Sequence, residues 1–156
     1  MYRKSALSSE QALQKARHYC SYQDRCHSEV REKLYSLGLH KTQVEDALAA
    51  LIDEDYLNEE RFAINYAGGH FRMKQWGKVR IRYELTQKKI SDYCIRKALA
   101  AIDEDAYAGT LVRLSQEKWE ALRAEENLLV RKRKWRGWLL QKGYEIERIA
   151  ALWPAK

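Results

Sequence analysis

Residues 81–90 read IRYELTQKKI, and the same pattern occurs twice more, as VREKLYSLGL at 30–39 and WRGWLLQKGY at 135–144. Arg31, Arg82 and Arg136 align at spacings of 51 and 54 residues. The aligned apolar sets are Val30, Ile81 and Trp135; Leu34, Leu85 and Leu139; Leu39, Ile90 and Tyr144; Val44, Ile95 and Ile149; and Ala47, Ala98 and Leu152. Such repeats are typical of helical arrays, in which each unit buries its apolar face against its neighbours.

The breaks between helices also fall into register, with Gly38 and Gly143 at one aligned position and Lys89 between them. A period slightly above about 50 residues favours a unit of three helices rather than two. We therefore predict an all-α protein with three tandem three-helix repeats that form an elongated, curved array. The predicted divisions are an N-terminal tail at 1–7 and repeats at 8–54, 55–103 and 104–153.

Composition supports a helical protein. The chain of 156 residues has one Pro and seven Gly, which leaves few natural breaks. It contains no apolar run long enough to span a membrane, and its first residues lack the apolar segment of a secretory signal. The cysteines are odd in number and form no CxxC pair, which favours reduced thiols. These features predict a cytoplasmic protein that does not contact membranes.

Capping residues and apolar spacing predict where the helices begin and what they bury. The predicted starts are Ser8 with Gln11, Ser28, Thr42 with Glu45, Asn58, Lys78, Ser91, Glu104 and Leu128. We expect the seventh helix to reach Glu126, and the fourth helix to turn Phe62, Tyr66 and Met73 inward. Gly68 and Gly69 in that fourth helix predict either a bend or a close helix crossing.

The charge of the chain is +7 overall but is distributed in blocks. Residues 61–100 carry ten Lys and Arg against two Asp and Glu, whereas 101–130 carry three against seven. Residues 131–142 then carry six basic residues and no acid. Alternating blocks indicate a shaped electrostatic surface, although charge runs are often only solvated helix faces.

The two basic blocks supply the candidate binding residues. Lys78 and Arg82 are four residues apart, and Lys132 and Arg136 repeat that spacing in the third unit. A stripe of such residues suits phosphates or an acidic groove of a protein. Trp76 and Trp138 would stack on bases, whereas the repeat predicts burial of Trp135. The full set is Arg72, Lys74, Lys78, Arg80, Arg82, Lys88, Lys89, Lys132, Arg133, Lys134 and Arg136.

Catalytic patterns are missing from the sequence. The histidines are scattered without metal-ligand spacing, and neither a phosphate-binding GxxxxGK[ST] loop nor a GxSxG elbow occurs. Cys20, Cys26 and His27 could begin a metal site, but no second pair completes it. We therefore expect a protein that is not an enzyme and needs no metal or cofactor.

Three segments resemble one known family. They are YLNEERFA at 56–63, WGKVRIRYEL at 76–85 with KIS at 89–91, and RCHSEVREKL at 25–34. They are similar to the RecX family, bacterial regulators of the RecA recombinase, over about residues 8–153. Asp55 stands where many members have Gly, Asn58 replaces a common Asp, and Cys26 stands at a usual Ser cap.

The resemblance implies three tandem three-helix repeats and a monomer that binds RecA. It further implies binding in the groove of the RecA filament on single-stranded DNA, which would limit filament growth, ATP hydrolysis, strand exchange and co-protease activity. The eleven basic residues would then contact RecA or DNA. Two alternatives stay open: a basic helical-repeat protein that binds nucleic acid without a RecA-specific role, and a structural adaptor.

Overall fold

The protein is helical throughout the part that the structure, a computed structural model, describes, which is residues 7–154. In this range there are nine helices and no strand, which confirms the all-α prediction. The helices are α1 (Ser9–Tyr22), α2 (His27–Ser36), α3 (Lys41–Asp53), α4 (Glu59–Lys74), α5 (Lys78–Gln87), α6 (Asp92–Ala100), α7 (Glu104–Ala121), α8 (Leu128–Lys142) and α9 (Ile146–Ala151). Nearly all of the predicted N-terminal tail, residues 1–6, lies outside the described range.

The aligned apolar positions form the core. Val30, Ile81 and Trp135 are fully buried, and so are the aligned leucines Leu34, Leu85 and Leu139. Of the aligned sets, only Leu152 is half-buried rather than buried. The helices α1, α2 and α3 pack pairwise, α5 packs on α6, and α8 packs on both α7 and α9. Each of these pairs belongs to one predicted three-helix repeat.

Two compact units make up the chain. The first contains the residues up to Phe62 together with Lys88–Ile90, and the second contains Ala63–Gln87 and the residues from Ser91 onward. The repeat boundaries after residues 54 and 103 stay predictions. None of the helices described between residues 7 and 154 combines the length and the apolar character needed to cross a membrane.

Three predicted N-caps are confirmed. The Ser8 hydroxyl accepts from the Gln11 amide at 3.2 Å, while the Gln11 side chain accepts from the Ser8 amide at 3.0 Å. The Asn58 side chain accepts from the Arg61 amide at 2.9 Å, and Ser91 caps α6 in the same way. Each cap satisfies an amide that has no partner inside its helix.

Two predicted helix starts are wrong, because the observed N-cap residue lies two residues before the predicted one in each case. Helix α2 has Cys26, not Ser28, as its N-cap residue, and the Ser28 hydroxyl instead donates to the Lys88 carbonyl at 2.9 Å. Helix α3 begins at Lys41, so the proposed Thr42 box does not form. There the Gln43 side chain accepts from the His40 amide at 3.1 Å. The partner of Ser28 lies 60 residues away, where the local sequence could not identify it.

Helix α7 ends at Ala121, five residues before the predicted end at Glu126. In its last turn the Trp119 carbonyl accepts from the Leu122 amide at 3.2 Å and from the Arg131 guanidinium at 2.6 Å. Asn127 then caps α8 by accepting from the amides of Leu129 and Val130. Because Arg131 belongs to α8, the sequence of α7 alone does not predict where α7 ends.

The interior face of α4 differs from the prediction. Phe62 and Phe71 are buried and Tyr66 is half-buried, but Met73 is 87% exposed, so its inward placement is wrong. Helix α4 is continuous through the glycine pair, and no atom lies within 4 Å of a Cβ built on Gly69. The predicted close crossing is therefore absent at Gly69, and the predicted bend stays a prediction.

The aligned break positions share one backbone conformation. Gly38, Lys89 and Gly143 have φ values of 91°, 63° and 100°, so all three lie in the left-handed region. Asp55 also has a φ of 63°, at the position where the resembling family often has Gly. Glycine adopts this region readily, whereas a residue with a Cβ does so at a cost.

Candidate functional site

A backbone junction in the second unit positions the candidate site. The Gly77 amide donates to the Lys142 carbonyl and the Val79 amide to the Gly143 carbonyl, each at 2.8 Å. A Cβ on Gly77 would lie 2.2 Å from the Gly143 oxygen, so only glycine allows this approach. The junction sets the first turn of α5 against the end of α8, and with it the side chains that both helices present.

Trp76 lies just before this junction, and two basic side chains lie over its ring. The Arg80 guanidinium lies 4.2 Å and the Lys74 ammonium 5.2 Å from the ring centroid, both at cation–π distance. The His70 ring stacks at 4.6 Å. Trp76 is only 8% exposed, so the hypothesis that it stacks on bases is wrong.

Lys142 and Trp138 of α8 continue this basic surface. The Lys142 ammonium donates to the Lys74 carbonyl at 3.0 Å and lies 5.5 Å from the Trp138 ring centroid. Lys118 of α7 approaches the same ring at 5.2 Å. Arg80, Trp138 and Lys142 line a shallow hollow of about 160 Å³. Trp138 is half-buried, so part of its ring faces solvent.

We call this set the Trp76–Trp138 surface and define it as Lys74, Trp76, Arg80, Trp138 and Lys142. Within residues 7–154, no carboxylate lies within 4.0 Å of its three basic groups. Their charges are therefore not neutralised by a neighbouring carboxylate in this part of the chain. A cation over an aromatic ring keeps its charge, and its attraction to the ring favours a defined position.

Four other predicted binding residues are paired with acids. Lys78 lies 3.9 Å from Glu104 and Arg82 3.3 Å from Asp92 in the second unit. Lys134 in that unit pairs with Glu125 at 3.0 Å, and Lys88 in the first unit pairs with Glu29 at 2.8 Å. A phosphate or an acidic protein would have to compete with these carboxylates.

The remaining predicted residues are dispersed. Lys132 and Arg136 lie on the flank of α8 opposite Trp138 and Lys142, because the buried Trp135 separates them around the helix. Lys132 approaches the Trp153 ring at 5.2 Å. Arg72, Lys89 and Arg133 are exposed. The binding role of all eleven residues stays a prediction.

Lys78 belongs to a polar network around Tyr107 that is structural in character. The Tyr107 hydroxyl donates to Glu145 and accepts from the Lys78 amide at 3.0 Å. The Lys78 ammonium and the Arg148 guanidinium lie 4.7 and 4.9 Å from its ring centroid. Burial, followed by the bond to Glu145, raises the pKa of Tyr107 well above its ordinary value. The phenol therefore stays neutral across the physiological range.

One member of the Trp76–Trp138 surface, Lys142, and its neighbour Lys118 are not among the predicted binding residues. Lys142 lies at the end of the basic block 131–142 but outside its dense part at 131–136, and Lys118 lies in the acidic block 101–130. The spacing of Trp138 and Lys142, four residues apart on one helix, was the local signal for Lys142. The sequence carried no comparable signal for Lys118, which meets Trp138 only through packing of α7 on α8.

No metal-binding group is found in the described residues, where His, Cys, Asp and Glu do not gather in sets of three or more. Cys20, Cys26 and Cys94 are free thiols. Burial raises the pKa of Cys20 and of Cys26 above the ordinary thiol value, which disfavours the reactive thiolate.

The fold and the surface thus define an all-helical repeat protein that presents basic groups over aromatic rings. A sequence model of the second three-helix domain of RecX proteins matches residues 58–99. The regulatory protein RecX of Vibrio parahaemolyticus is 26% identical over 151 residues, which cover 96% of this chain and 94% of that protein. The crystal structure of RecX from Lactobacillus salivarius matches with a TM-score of 0.84 and 25% identity, over 92% of this chain and 93% of that one.

The chain belongs to the RecX family. Its relatives differ in length, since RecX of Clostridium perfringens is 28% identical over 120 residues that cover 76% of this chain but 56% of that protein. The chain thus spans little more than half the length of its clostridial relatives. The matched domain at 58–99 includes α5, which carries Arg80 and leads from the Gly77 junction.

Proposed function

We propose that the protein is a regulator of the RecA recombinase that acts by binding rather than by chemistry. In this proposal it binds RecA and the RecA filament on single-stranded DNA, and it limits filament growth, ATP hydrolysis, strand exchange and co-protease activity. Family membership supports the regulatory role. The cytoplasm is the proposed location, since the filament forms on DNA there, and the proposed working form is a monomer.

The observation that carries the proposal is the group of unpaired cations on the Trp76–Trp138 surface. Lys74, Arg80 and Lys142 have no carboxylate within 4.0 Å in the described chain, whereas Lys78 and Arg82 do. Lys74 and Arg80 also lie over one ring, that of Trp76, and for this reason we propose them as the main contacts among the predicted residues. Such a surface suits acidic side chains of a protein or backbone phosphates.

The test is the ATPase activity of RecA on single-stranded DNA, titrated with this protein at substoichiometric ratios. Neutralising Lys74 and Arg80 together as Gln should raise the concentration needed for half-inhibition about tenfold, which corresponds to about 1.4 kcal/mol. The matched control replaces Arg113 and Arg123 by Gln. It removes the same charge from exposed residues that already pair with Glu117 and Glu120.

The control variant should inhibit within about twofold of the parent protein, because its charges are already compensated on the surface. Equal inhibition by both variants would remove the Trp76–Trp138 surface from the proposal. A parent protein that leaves ATP hydrolysis unchanged, even at a twofold excess over RecA, would contradict the regulatory function itself.

Direct binding of nucleic acid without a RecA-specific role is the second candidate, and the exposed part of Trp138 favours it. The two candidates differ in their salt dependence. We expect inhibition to persist at a salt concentration where binding to free single-stranded DNA is lost, because that binding weakens steeply with salt. Inhibition that falls in parallel with free-DNA binding would support the second candidate.

A further inference from the structure

A second basic and aromatic site lies in the first unit, far along the sequence from the Trp76–Trp138 surface. An open cavity of about 510 Å³ lies between helices α1 and α2. Helix α1 contributes Lys15, His18, Tyr19 and Tyr22, and α2 contributes Lys33 and Leu37. Cavities of this volume accommodate ligands of the size of a nucleotide or a short peptide. We call it the α1–α2 groove.

The groove is lined by positive charge, although the sequence around it is negatively charged overall. Residues 1–60 carry eight Lys and Arg against eleven Asp and Glu, yet no acid lines the groove. Within residues 7–154, Lys15 and Lys33 have no carboxylate within 4.0 Å. Two lysines with uncompensated charge at one cavity favour an anionic occupant.

Two tyrosines supply the apolar part of the groove, and they differ in how much of the ring is open to a ligand. The Tyr19 ring is already covered, because the Arg25 guanidinium lies 3.9 Å from its centroid and Lys33 lies 5.5 Å away. Tyr22 ends α1 and is 78% exposed. Its ring is therefore available to stack on a flat group, whereas Tyr19 holds the neighbouring cations in place.

We propose that the α1–α2 groove binds single-stranded nucleic acid, with a base stacked on Tyr22 and flanking phosphates bound by Lys15 and Lys33. Lysines beside an exposed aromatic ring are the combination that binds unpaired strands with little sequence preference. An acidic peptide would use the lysines but gain little from an exposed tyrosine, so it is the less favoured occupant. This contact does not depend on the Trp76–Trp138 surface or on RecA.

The probe is a fluorescent 20-residue oligodeoxythymidine, and binding to the full-length protein is measured by anisotropy across a salt series. The variant Tyr22→Ala should weaken binding about fivefold or more, since one base–aromatic stack is worth at least about that factor. Its matched control is Tyr35→Ala, which removes an exposed tyrosine of the same unit outside the groove and should leave affinity unchanged.

The lysines are tested through the salt dependence. Replacing Lys15 and Lys33 together by Ala should flatten the slope of log affinity against log salt by about 1.4, since single strands lose about 0.7 per phosphate contact. The control Lys41→Ala, at an exposed residue outside the groove, should change this slope by no more than about 0.7, the value for one phosphate contact. An unchanged slope in the double variant overturns the phosphate assignment.

Three further measurements separate the possible occupants. An abasic strand of equal length should bind the parent and Tyr22→Ala equally, and a loss with this strand as well would overturn the stacking assignment. Oligouridine that binds as tightly as oligothymidine would extend the site to RNA. A polyglutamate peptide that binds the groove more tightly than either strand would overturn the proposal in favour of an acidic protein.

Photocrosslinking locates the contact independently of affinity. A strand that carries 5-iododeoxyuridine should crosslink to the peptide that contains Tyr22, and adducts found only at residues 74–142 would overturn the proposal. The RecA ATPase titration keeps this result apart from the proposed function. If the protein inhibits RecA but fails these tests, only the proposal for the α1–α2 groove is overturned, and the proposed function stands.

Discussion

Gly77 and Gly143 touch through their backbones. A Cβ at Gly77 would lie 2.2 Å from the Gly143 oxygen, and one at Gly143 would lie 2.3 Å from the Arg80 Cβ. Two hydrogen bonds of 2.8 Å, from the amides of Gly77 and Val79, run between the same segments. The contact joins residues far apart in the sequence and holds Arg80 at the end of α8.

The substitution Gly77→Ala should destabilise the protein by about 1–3 kcal/mol, because the new methyl group meets backbone atoms that cannot rotate away. The matched control Gly69→Ala should stabilise it by up to about 1 kcal/mol, since it lies within α4 with nothing within 4 Å. Urea denaturation measures both changes. Equal free energies of unfolding for the two variants would contradict the close contact.

The substitution Lys89→Gly should stabilise the protein by about 0.5–1 kcal/mol, because Lys89 has a φ of 63° and glycine avoids the cost of a Cβ there. The converse change Gly38→Ala, at the aligned position with a φ of 91°, should destabilise by about 1–2 kcal/mol. The measurement is again the free energy of unfolding. Destabilisation by Lys89→Gly would mean that the lysine makes contacts that outweigh its backbone strain.

The apolar register predicted the core well because burial follows local periodicity. Val30, Ile81 and Trp135 share one helical phase, and all three are fully buried. Helix ends were predicted less well where the partner is remote. Ser28 bonds the Lys88 carbonyl, 60 residues away, and Arg131 bonds the Trp119 carbonyl. Such bonds depend on tertiary packing and leave no local pattern.

The candidate site was predicted only as a set of charges. The sequence identified Lys74, Lys78 and Arg80 as basic, but it could not show that Glu104 lies near Lys78. Nor could it show that Lys142 meets the Lys74 carbonyl, because that contact follows from the junction at Gly77. Which cations remain unpaired is thus decided by tertiary structure.

Leu85→Ala should destabilise the protein by about 2–5 kcal/mol, as is usual when a large core side chain is truncated. Leu85 is fully buried at the position that all three repeats share. Val79→Ala on the same helix, where the valine is 52% exposed, should change stability by no more than about 0.5 kcal/mol. A loss below about 0.5 kcal/mol for Leu85→Ala would place Leu85 outside the core.

Stability should fall at alkaline pH through Tyr107. Its pKa is raised in the folded protein above the unfolded value of about 10, mainly by burial. Its contribution is therefore fully present below pH 10 and is lost as the pH rises above that value, where the unfolded chain loses the phenolic proton first.

Tyr107→Phe should make this alkaline decline shallower by up to about 1.4 kcal/mol per pH unit. At pH 8 the same variant should lose about 1–3 kcal/mol, because Glu145 and the Lys78 amide lose a hydrogen-bond partner. Chemical denaturation between pH 8 and 11.5 gives both quantities. Tyr83→Phe, at an exposed position, is the matched control and should keep the parent slope.

Hydrogen exchange at the amides of Gly77 and Val79 reports on the contact between the start of α5 and the end of α8. The Gly77 amide donates to the carbonyl of Lys142, the last residue of α8, and the Val79 amide donates to the carbonyl of Gly143, which follows α8. Solvent deuterium can reach these two amides only when the C-terminal helices separate from the start of α5. Their exchange rates therefore measure, in the unmodified chain, how often the last helices detach while the remainder stays folded.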